Sequence, residues 1–184
     1  EDDPFRAAEL TVDVVVNRLP DKFGVDPIEQ VQVIAPMYRG PSGVDALNRR
    51  LQEVLNGSQR LASRQIAGRM FRVGDKVMQT RNDYEREIFN GDIGRVYGID
   101  HDENTIIVTI DGRLVYYDFS VADELIHAYC ISTHRSQGSE YPVVVMPLLT
   151  QHYMMLQRNL LYTAITRARQ MVVIVGSRRA VHMA

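Results

Sequence analysis

The residues with the clearest chemical potential lie in the stretch 133–140, Thr-His-Arg-Ser-Gln-Gly-Ser-Glu. A hydroxyl, an imidazole, a guanidinium, an amide and a carboxylate surround one glycine there, just before the strand-like run 143–147. Such a mixture of polar groups is not needed in a hydrophobic core, whereas sites that bind phosphates and sugars contain such groups. The stretch therefore predicts a binding site for a phosphorylated ligand.

Two further polar clusters accompany it. Tyr38-Arg39-Gly40 follows the apolar run 31–35 and precedes a helical pattern over 44–55, an order that puts this cluster at the carboxyl edge of a parallel sheet. The cluster 163–169 falls on a predicted helix over 160–169. The three clusters offer arginines, hydroxyls and a carboxylate but no obvious nucleophile. Such a set stabilises charge, as phosphoryl transfer requires, and we expect the clusters to form one site.

The loop that normally cradles a nucleotide's phosphates is missing from this sequence. No G-x-x-x-x-G-K-[S/T] pattern occurs, and the only lysines, Lys22 and Lys76, each follow an aspartate. The pair Asp123-Glu124 resembles a magnesium-holding acidic pair only superficially, because it follows a short mixed run. We therefore predict that this chain is one half of a molecular motor. The groups that bind the nucleotide's phosphates and metal ion are expected to lie outside it.

Composition and charge limit the class of protein. The chain has 184 residues and 45% hydrophobic content, which suits one domain with a small insert. Residues 70–126 carry six basic and twelve acidic side chains, and the remainder carries fifteen basic and eleven acidic. The single cysteine, Cys130, lies in an apolar run; it predicts a buried free thiol and favours a cytoplasmic setting. No zinc-ligand spacing and no transmembrane-length apolar run occurs.

The periodicity of the sequence predicts a domain interrupted by an insert. From Phe71 onward, short alternating strands with turn signals at Asn90-Gly91 and Asp111-Gly112 indicate a small antiparallel β-barrel over 70–126. The flanking parts, 1–69 and 127–184, form one α/β domain. Within the first part we predict a helix from Pro4 that ends at Leu19-Pro20, and a linker over 56–69.

Three segments together resemble known helicase motifs. Residues 34–48, 132–140 and 161–168 resemble motifs IV, V and VI of the RecD-like superfamily 1B DNA helicases, the exodeoxyribonuclease V alpha-subunit family. Their order, with an insert between the first and second, makes the resemblance specific, and it covers nearly the whole chain. It implies an α/β fold: a RecA-like parallel sheet flanked by helices (domain 2A), with an inserted small SH3-like antiparallel β-barrel (2B).

The resemblance also implies roles for individual residues. Arg39 looks like the motif IV arginine that reaches the ATP γ-phosphate, and Arg167 looks like the motif VI arginine finger. The implied nucleotide-binding residues are Tyr38, Gln137, Gly138 and Glu140, with Gln137 linking the nucleotide and DNA sites. The implied contacts to the single-stranded DNA backbone are Thr133, His134 and Ser136. No metal ligand is assigned to this chain.

The implied activity belongs to a longer protein. Helicases of this family use ATP and Mg²⁺ to move 5′→3′ on single-stranded DNA and to unwind duplexes. The expected partners are single-stranded DNA, the N-terminal RecA-like domain 1A of the same chain and, in some members, the subunits of a nuclease complex; no membrane partner is expected. The chain begins at Glu1, so we expect a fragment that binds no nucleotide and hydrolyses no ATP by itself.

Simpler roles exist for each of these residues. Thr133 and Ser136 have the chemistry of local turn caps, His134 that of a buried structural histidine, and Glu140 that of an ion-pair partner for Arg135. In the insert, Arg81, Arg86, Phe89 and Asn90 are candidate DNA contacts, but the acidity of the region favours a solvated face.

Two other functions also fit the sequence. One is a non-catalytic binding module built on a helicase scaffold, with the β-barrel as its working surface. The other is a superfamily 1B RNA helicase.

Overall fold

The computed structural model describes residues 2–58, 60–152 and 158–183, with the side chains of 158 and 159 excepted. The chain divides into two compact units. Residues 56–128 form the second unit, which we call the insert, and the residues on either side of it form the first. Each unit has a hydrophobic cluster of its own.

The regular elements alternate between helices and strands in the first unit and are almost entirely strands in the insert. The helices are α1 (Pro4–Asp13), α2 (Leu19–Phe23), α3 (Val44–Asn56), α4 (Arg158–Ile165) and α5 (Arg178–Met183). The strands are β1 (Val31–Ala35), β2 (Ser63–Ile66), β3 (Arg69–Arg72), β4 (Lys76–Gln79), β5 (Ile93–Asp100), β6 (Thr105–Ile110), β7 (Arg113–Asp118), β8 (Leu125–His127), β9 (Cys130–Ser132), β10 (Tyr141–Leu148) and β11 (Ala168–Gly176).

The first unit is built on a four-stranded parallel sheet in the order β11-β10-β1-β9. All five residues of β1 are buried, because parallel strands in α/β proteins are covered on both faces. Val31 lies beside Val143 of β10, and Val33 lies beside Cys130 of β9. The predicted strand at 31–35 and the parallel sheet are therefore confirmed.

One face of the sheet packs against helices through a continuous apolar cluster. Val33 and Val145 contribute from the sheet, and Val15, Leu47 and Leu51 contribute from the helical side. The leucines recur at a spacing of four, which keeps them on one face of α3. The helix predicted for 44–55 is confirmed and extends to Asn56.

The N-terminal helical region continues past the predicted stop at Leu19-Pro20, so that prediction was wrong. A π-helical turn spans Val14–Arg18, and the Leu19 N–H bonds the Val14 carbonyl, five residues back. The wider turn removes the usual clash between a proline ring and the carbonyl four residues earlier. Gly24, at φ 65°, ends the helix instead.

The insert is an antiparallel structure, as predicted. Five strands form a sheet in the order β7-β6-β5-β4-β8, and β2 and β3 form a separate hairpin. Its fully buried core includes Phe71, Ile88, Ile106 and Tyr117, which come from the hairpin, a loop and the sheet.

The insert begins earlier than residue 70, and part of the predicted linker over 56–69 is regular structure. The β2–β3 hairpin runs through 63–72, so a boundary between 69 and 70 would divide it. Its turn uses positive φ at Ala67 and at Gly68, 48° and 78°. Alanine is unusual in that conformation, and the Ala-Gly pair lacks the Asn or Asp of the strongest hairpin signals. Gln59 lies outside the described residues.

The helix predicted over 160–169 is shorter than expected. Helix α4 ends at Ile165, and β11 begins at Ala168, which pairs with Tyr141 in the parallel sheet. The Arg167 N–H bonds the Ala164 carbonyl, three residues back, at 3.3 Å, so the helix ends in a tighter final turn. Arg167 therefore lies in the turn between helix and strand, and Arg169 lies in the strand.

Three smaller expectations can be compared with the structure. Cys130 is a buried free thiol, as predicted, and burial raises its pKa. Asp123 and Glu124 belong to a short 3₁₀ turn, where the Glu124 carboxylate accepts hydrogen bonds from Gln79 and Arg86 inside the insert. Within the described residues, no helix is long and apolar enough to span a membrane.

Candidate functional site

The loop after β1 and the loop after β9 meet at the carboxyl edge of the sheet. Strands β1 and β9 are parallel neighbours, and Ala35 and Ser132, their last residues, lie side by side. The Tyr38 hydroxyl is 2.9 Å from the Ser132 hydroxyl, which ties the first loop to the second strand. Arg39 is exposed on the same loop. We call the surface formed by the exposed residues Tyr38, Arg39 and His134 the carboxyl-edge surface.

The loop that carries Arg39 is held by its own backbone. The N–H groups of Val44 and Asp45, in the first turn of α3, donate to the carbonyls of Met37 and Tyr38. Gly43 is required there, because a Cβ atom would lie 2.4 Å from the Arg39 carbonyl oxygen. Arg39 is thus displayed on a loop whose backbone position is fixed by α3.

The first half of the loop 133–140 is a tight turn with two buried hydroxyls. Ser136 is fully buried, and its hydroxyl donates to the Thr133 carbonyl at 2.7 Å. Thr133 is only 1% exposed, and its own hydroxyl has no hydrogen-bond partner among the residues that the structure describes. His134 and Gln137 are exposed, which excludes a buried structural role for His134. Ser136 therefore shapes the turn, and His134 is the imidazole that the turn displays.

The second half of the same loop crosses to the opposite edge of the sheet. Gly138 adopts φ 82°, in the left-handed region that favours glycine, and the chain then reaches Tyr141 at the start of β10. Because β10 is parallel to β1 and β9, its first residue lies at the amino edge, whereas Ser132 lies at the carboxyl edge. The loop therefore connects the two edges of one sheet.

Arg167 lies at the amino edge, next to the end of that loop. Its Nη1 donates to the Ser139 carbonyl at 3.3 Å, its Nε to the Thr163 carbonyl at 3.2 Å, and its Nη2 to the Thr166 hydroxyl at 3.3 Å. The Tyr141 N–H donates to the Arg167 carbonyl at 2.8 Å. The three guanidinium bonds are longer than the usual 2.9–3.0 Å or so, so they hold the group weakly.

An ion pair that the sequence analysis missed lies beside Arg167. Arg169 Nε is 2.8 Å from the Glu140 carboxylate, whereas the sequence had suggested Arg135 as the alternative partner. Both side chains are more than half exposed, so solvent screens the pair and both groups are accessible to a ligand. The Arg-Ala-Arg spacing in the sequence was a usable signal. It indicates that the two arginines lie close together at the start of β11, but only if the helix is known to end at Ile165. We call Ser139, Glu140, Arg167 and Arg169 the amino-edge surface.

The structure thus separates residues that we expected in one cluster. Arg39 lies at the carboxyl edge and Arg167 at the amino edge, with the length of the strands between their backbones. Gln137 and Gly138 lie in the loop that joins the two surfaces. The expectation of a single compact site was therefore wrong. Arg39 follows a parallel strand and so lies at the carboxyl edge, whereas Arg167 directly precedes a parallel strand and so lies at the amino edge.

The electrostatics of the amino-edge surface suit a phosphate. Two guanidinium groups face one carboxylate there, and arginine binds phosphate oxygens in bidentate geometry. Burial raises the pKa of the neighbouring Tyr141 phenol, so this hydroxyl stays neutral. In the part of the chain that the structure describes, no group of three or more His, Cys, Asp or Glu side chains is arranged to hold a metal ion. The side chains of the amino-edge surface are therefore better suited to bind the phosphate groups of a nucleotide than to bind its metal ion.

Comparison with known proteins points to one group of enzymes. Residues 47–110 match the model of the ATP-dependent RecD-like DNA helicase SH3 domain, and residues 127–175 match that of the UvrD-like helicase C-terminal domain. The ATP-dependent RecD2 DNA helicase of Deinococcus radiodurans is 41% identical over 150 residues, 82% of this chain and 20% of that protein. The RecBCD enzyme subunit RecD of Mycolicibacterium smegmatis is 32% identical over 161 residues, 85% of this chain and 27% of that protein.

Solved structures show the same fold at lower identity. A Bacteroides Pif1 helicase in complex with ADP-AlF3 and ssDNA aligns with TM-score 0.58 and 17% identity, over 92% of this chain and 47% of the other. The Pif1 helicase of Candida albicans aligns with TM-score 0.52 and 18% identity, over 96% of this chain and 57% of the other. The chain therefore spans between a fifth and about a quarter of the curated relatives and about half of these solved chains.

Proposed function

We propose that this chain, which belongs to the RecD-like helicases, forms the C-terminal motor domain of an ATP-dependent enzyme that moves 5′→3′ on single-stranded DNA. One observation carries the proposal. The loop 133–140 joins a surface that displays Arg39 and His134 to a surface that displays Arg167 and Glu140. A motor needs such a connection, because it must convert a change at a phosphate site into a change at a nucleic-acid site.

The amino-edge surface is the half that we assign to the nucleotide. A second RecA-like domain of the longer protein supplies the phosphate cradle and the magnesium site, and this chain supplies cationic charge to the phosphates. Arg167 exchanges its three weak oxygen partners for phosphate oxygens, and there it stabilises the negative charge of the transferring group. Glu140 and Gly138 lie on the same side and are assigned to the ribose and phosphates.

The carboxyl-edge surface is the half that we assign to single-stranded DNA. His134 and Arg39 are both exposed there, on loops joined through the Tyr38–Ser132 contact, and Arg39 has the charge that a phosphate backbone requires. Its position at this edge favours DNA over the γ-phosphate role that the resemblance implies. Thr133 and Ser136 are buried, and they act by shaping the turn that displays His134.

The nucleotide assignment is tested by replacing Arg167 in the full-length protein. Arg167→Ala is expected to lower the ATP hydrolysis rate by about 10³-fold, since one arginine finger contributes on the order of 10³–10⁵ to phosphoryl transfer. ATP binding, measured by equilibrium titration, should be largely kept. Arg178→Ala, which removes an exposed arginine of α5, is the matched control. Near-normal turnover in Arg167→Ala would refute the assignment.

The DNA assignment is tested by Arg39→Ala in the same protein. Loss of one phosphate contact should lower single-stranded DNA affinity and reduce the slope of log affinity against log salt by about one, with DNA-independent ATP hydrolysis unchanged. If hydrolysis instead collapses as in Arg167→Ala while DNA affinity stays normal, Arg39 serves the nucleotide. Equal unwinding of RNA and DNA substrates would favour the RNA helicase alternative. DNA binding by a full-length protein without any ATPase activity would favour the non-catalytic module.

A further inference from the structure

The insert carries a groove whose lining combines apolar and aromatic side chains with two arginines. The groove has a volume of about 330 Å³ and is lined by Arg86, Arg113, Leu114, Val115 and Tyr116. Leu114 and Tyr116 are 45% and 58% exposed and alternate along β7, an edge strand of the sheet. Large apolar side chains displayed together on a surface mark sites of interaction with other molecules.

The loop that supplies Arg86 to the groove lining also displays two exposed aromatic side chains outside that lining. Tyr84 and Phe89 are 76% and 45% exposed, and their rings contact edge to face with centroids 6.0 Å apart. Arg86, from the same loop, donates to the Tyr116 carbonyl, and Arg113 of β7 pairs with Glu87 of the loop. Loop and strand are therefore joined across the groove.

This loop is held in place by its own hydrogen bonds. The N–H groups of Asp83 and Ile88 each donate to the other residue's carbonyl, and Ile88 is fully buried. The Phe89 N–H donates to the Asp92 carboxylate at 2.7 Å. The exposure of Tyr84 and Phe89 is thus a property of a fixed loop. Rigid aromatic side chains lose little conformational entropy when they bind a partner.

Charge decides which kind of partner fits the groove. Residues 70–126 carry twelve acidic and six basic side chains. The two arginines of the groove are already neutralised, because Arg86 pairs with Asp83 and Glu124, and Arg113 pairs with Glu87. Affinity for nucleic acid comes mainly from basic groups that contact phosphates, so this surface disfavours DNA and RNA. Exposed carboxylates such as Glu85 and Asp123 favour a basic partner instead.

We infer that this groove of the insert docks a basic, extended protein segment that carries apolar side chains. Apolar side chains of that segment contact Leu114 and Tyr116, and its lysines or arginines pair with exposed carboxylates of the insert such as Glu87, which lies beside Arg113. A volume at the lower end of the roughly 300–1,000 Å³ range of ligand pockets accommodates a few side chains and not a whole helix. The inference is independent of the ATP and DNA assignments made for the first unit.

The experiment is peptide selection on the full-length protein. Random peptides displayed on phage are selected against the immobilised protein, and the enriched sequences are synthesised with a fluorescent label for anisotropy titration. We expect enriched peptides with net positive charge and recurrent aromatic or aliphatic residues. Tyr84→Ala combined with Tyr116→Ala should weaken their binding by at least about tenfold. Tyr97→Ala is the matched control, because Tyr97 is 64% exposed on β5, two strands away from β7, and belongs neither to the groove lining nor to the loop that supplies Arg86. Unchanged thermal unfolding shows that each variant is folded.

Several results would overturn the inference. Enriched peptides that are neutral or acidic contradict the charge argument, and peptides whose binding is insensitive to the Tyr84 and Tyr116 replacements bind elsewhere. If those replacements instead weaken binding of a labelled oligothymidine and leave peptide binding intact, the groove is a nucleic-acid surface. Protection of both tyrosines from hydroxyl-radical oxidation in the full-length protein alone would show that another part of that protein covers the groove.

Discussion

At the scale of single residues, Asp75 is a buried carboxylate of the insert with several hydrogen-bond partners. It is fully buried and accepts hydrogen bonds from the Asn56 side chain and the Arg72 N–H, each at 2.8 Å. His127 Nε2 lies 3.3 Å from the same carboxylate. Asn56 opens the insert and His127 lies next to its last residue, so this carboxylate holds the two ends of the unit together.

Replacing Asp75 should therefore destabilise the insert. Asp75→Ala leaves the donors of Asn56 and Arg72 without their buried acceptor, and we expect a loss of about 3 kcal/mol in the free energy of unfolding. Urea denaturation followed by circular dichroism measures it. Asp118→Ala is the matched control, because that carboxylate is exposed and, among the described residues, accepts its hydrogen bonds from Ser120, two positions further along the chain. Equal stability of the two variants would contradict a structural role for Asp75.

The contribution of Asp75 should also depend on pH. Burial alone would raise its pKa, but the hydrogen bonds from His127, Asn56 and the Arg72 N–H outweigh burial and lower it below the usual 3.8. A lowered folded-state pKa means that the stabilisation is fully present above the unfolded pKa of about 3.9 and is lost as the pH falls through the folded value. The stability difference between wild type and Asp75→Ala should thus shrink in acid below about pH 4. A constant difference down to pH 2 or so would show that the ionised form contributes nothing.

At the scale of elements, the position of the site follows from where each loop leaves the sheet. Strand β1 ends at Ala35 and β9 at Ser132, so their loops share the carboxyl edge; β10 and β11 begin at the amino edge, where Glu140 and Arg167 lie. The loop 133–140 begins at the carboxyl edge and ends at the amino edge. The position of this loop between the two edges is thus a consequence of strand order and direction.

Packing between β5 and β6 gives an element-scale prediction. A Cβ atom at Gly94 would lie 2.5 Å from the Thr109 carbonyl oxygen and 2.8 Å from side-chain carbons of Val108 and Ile110. Gly94→Ala must therefore push the strands apart, and we expect a loss of about 2–3 kcal/mol in stability. At Gly98, on the same strand, a Cβ would meet only Ile107 at an ordinary 3.6 Å.

Gly98→Ala is the control for that measurement. Its unfolding free energy should stay within about 1 kcal/mol of the wild type, since the added methyl group fits and also reduces the freedom of the unfolded chain. Thermal unfolding of both variants compares them directly. A smaller effect at Gly94 than at Gly98 would mean that the close approach of β5 and β6 is not maintained in solution.

At the scale of the whole molecule, the chain consists of two units with separate hydrophobic clusters. The insert has its own five-stranded sheet, a hairpin and a carboxylate that binds both of its ends. A separate hydrophobic core and joined chain ends allow a short polypeptide to fold by itself.

We therefore predict that residues 56–128 fold in isolation. The separate polypeptide should show one cooperative unfolding transition with a stability of about 3–5 kcal/mol, as expected for a single small core. Chemical denaturation monitored by tyrosine fluorescence and by circular dichroism should give coincident transitions. The Asp75→Ala version, in which the ends are no longer joined, is expected to lose much of that stability. Absence of a cooperative transition in the wild-type polypeptide would contradict the prediction.

The sequence alone determined the elements with strong local patterns. The uniform apolar run 31–35 specified a buried parallel strand, the leucine spacing specified α3, and the alternation after Phe71 specified an antiparallel insert. Motif order specified the helicase family. These features are local, because periodicity and residue types within a short window express them.

Tertiary structure decided what depends on distant partners. The π turn that carries a helix through Pro20, the stop of α4 at Ile165 and the hairpin at Ala67-Gly68 follow from packing and pairing that no short window contains. The layout of the site also depended on tertiary structure. The sequence identified Arg39 and Arg167 as candidate residues, but the direction of the strands placed them at opposite edges of the sheet. The position of a loop is determined by the strands that it joins and not by its own residues.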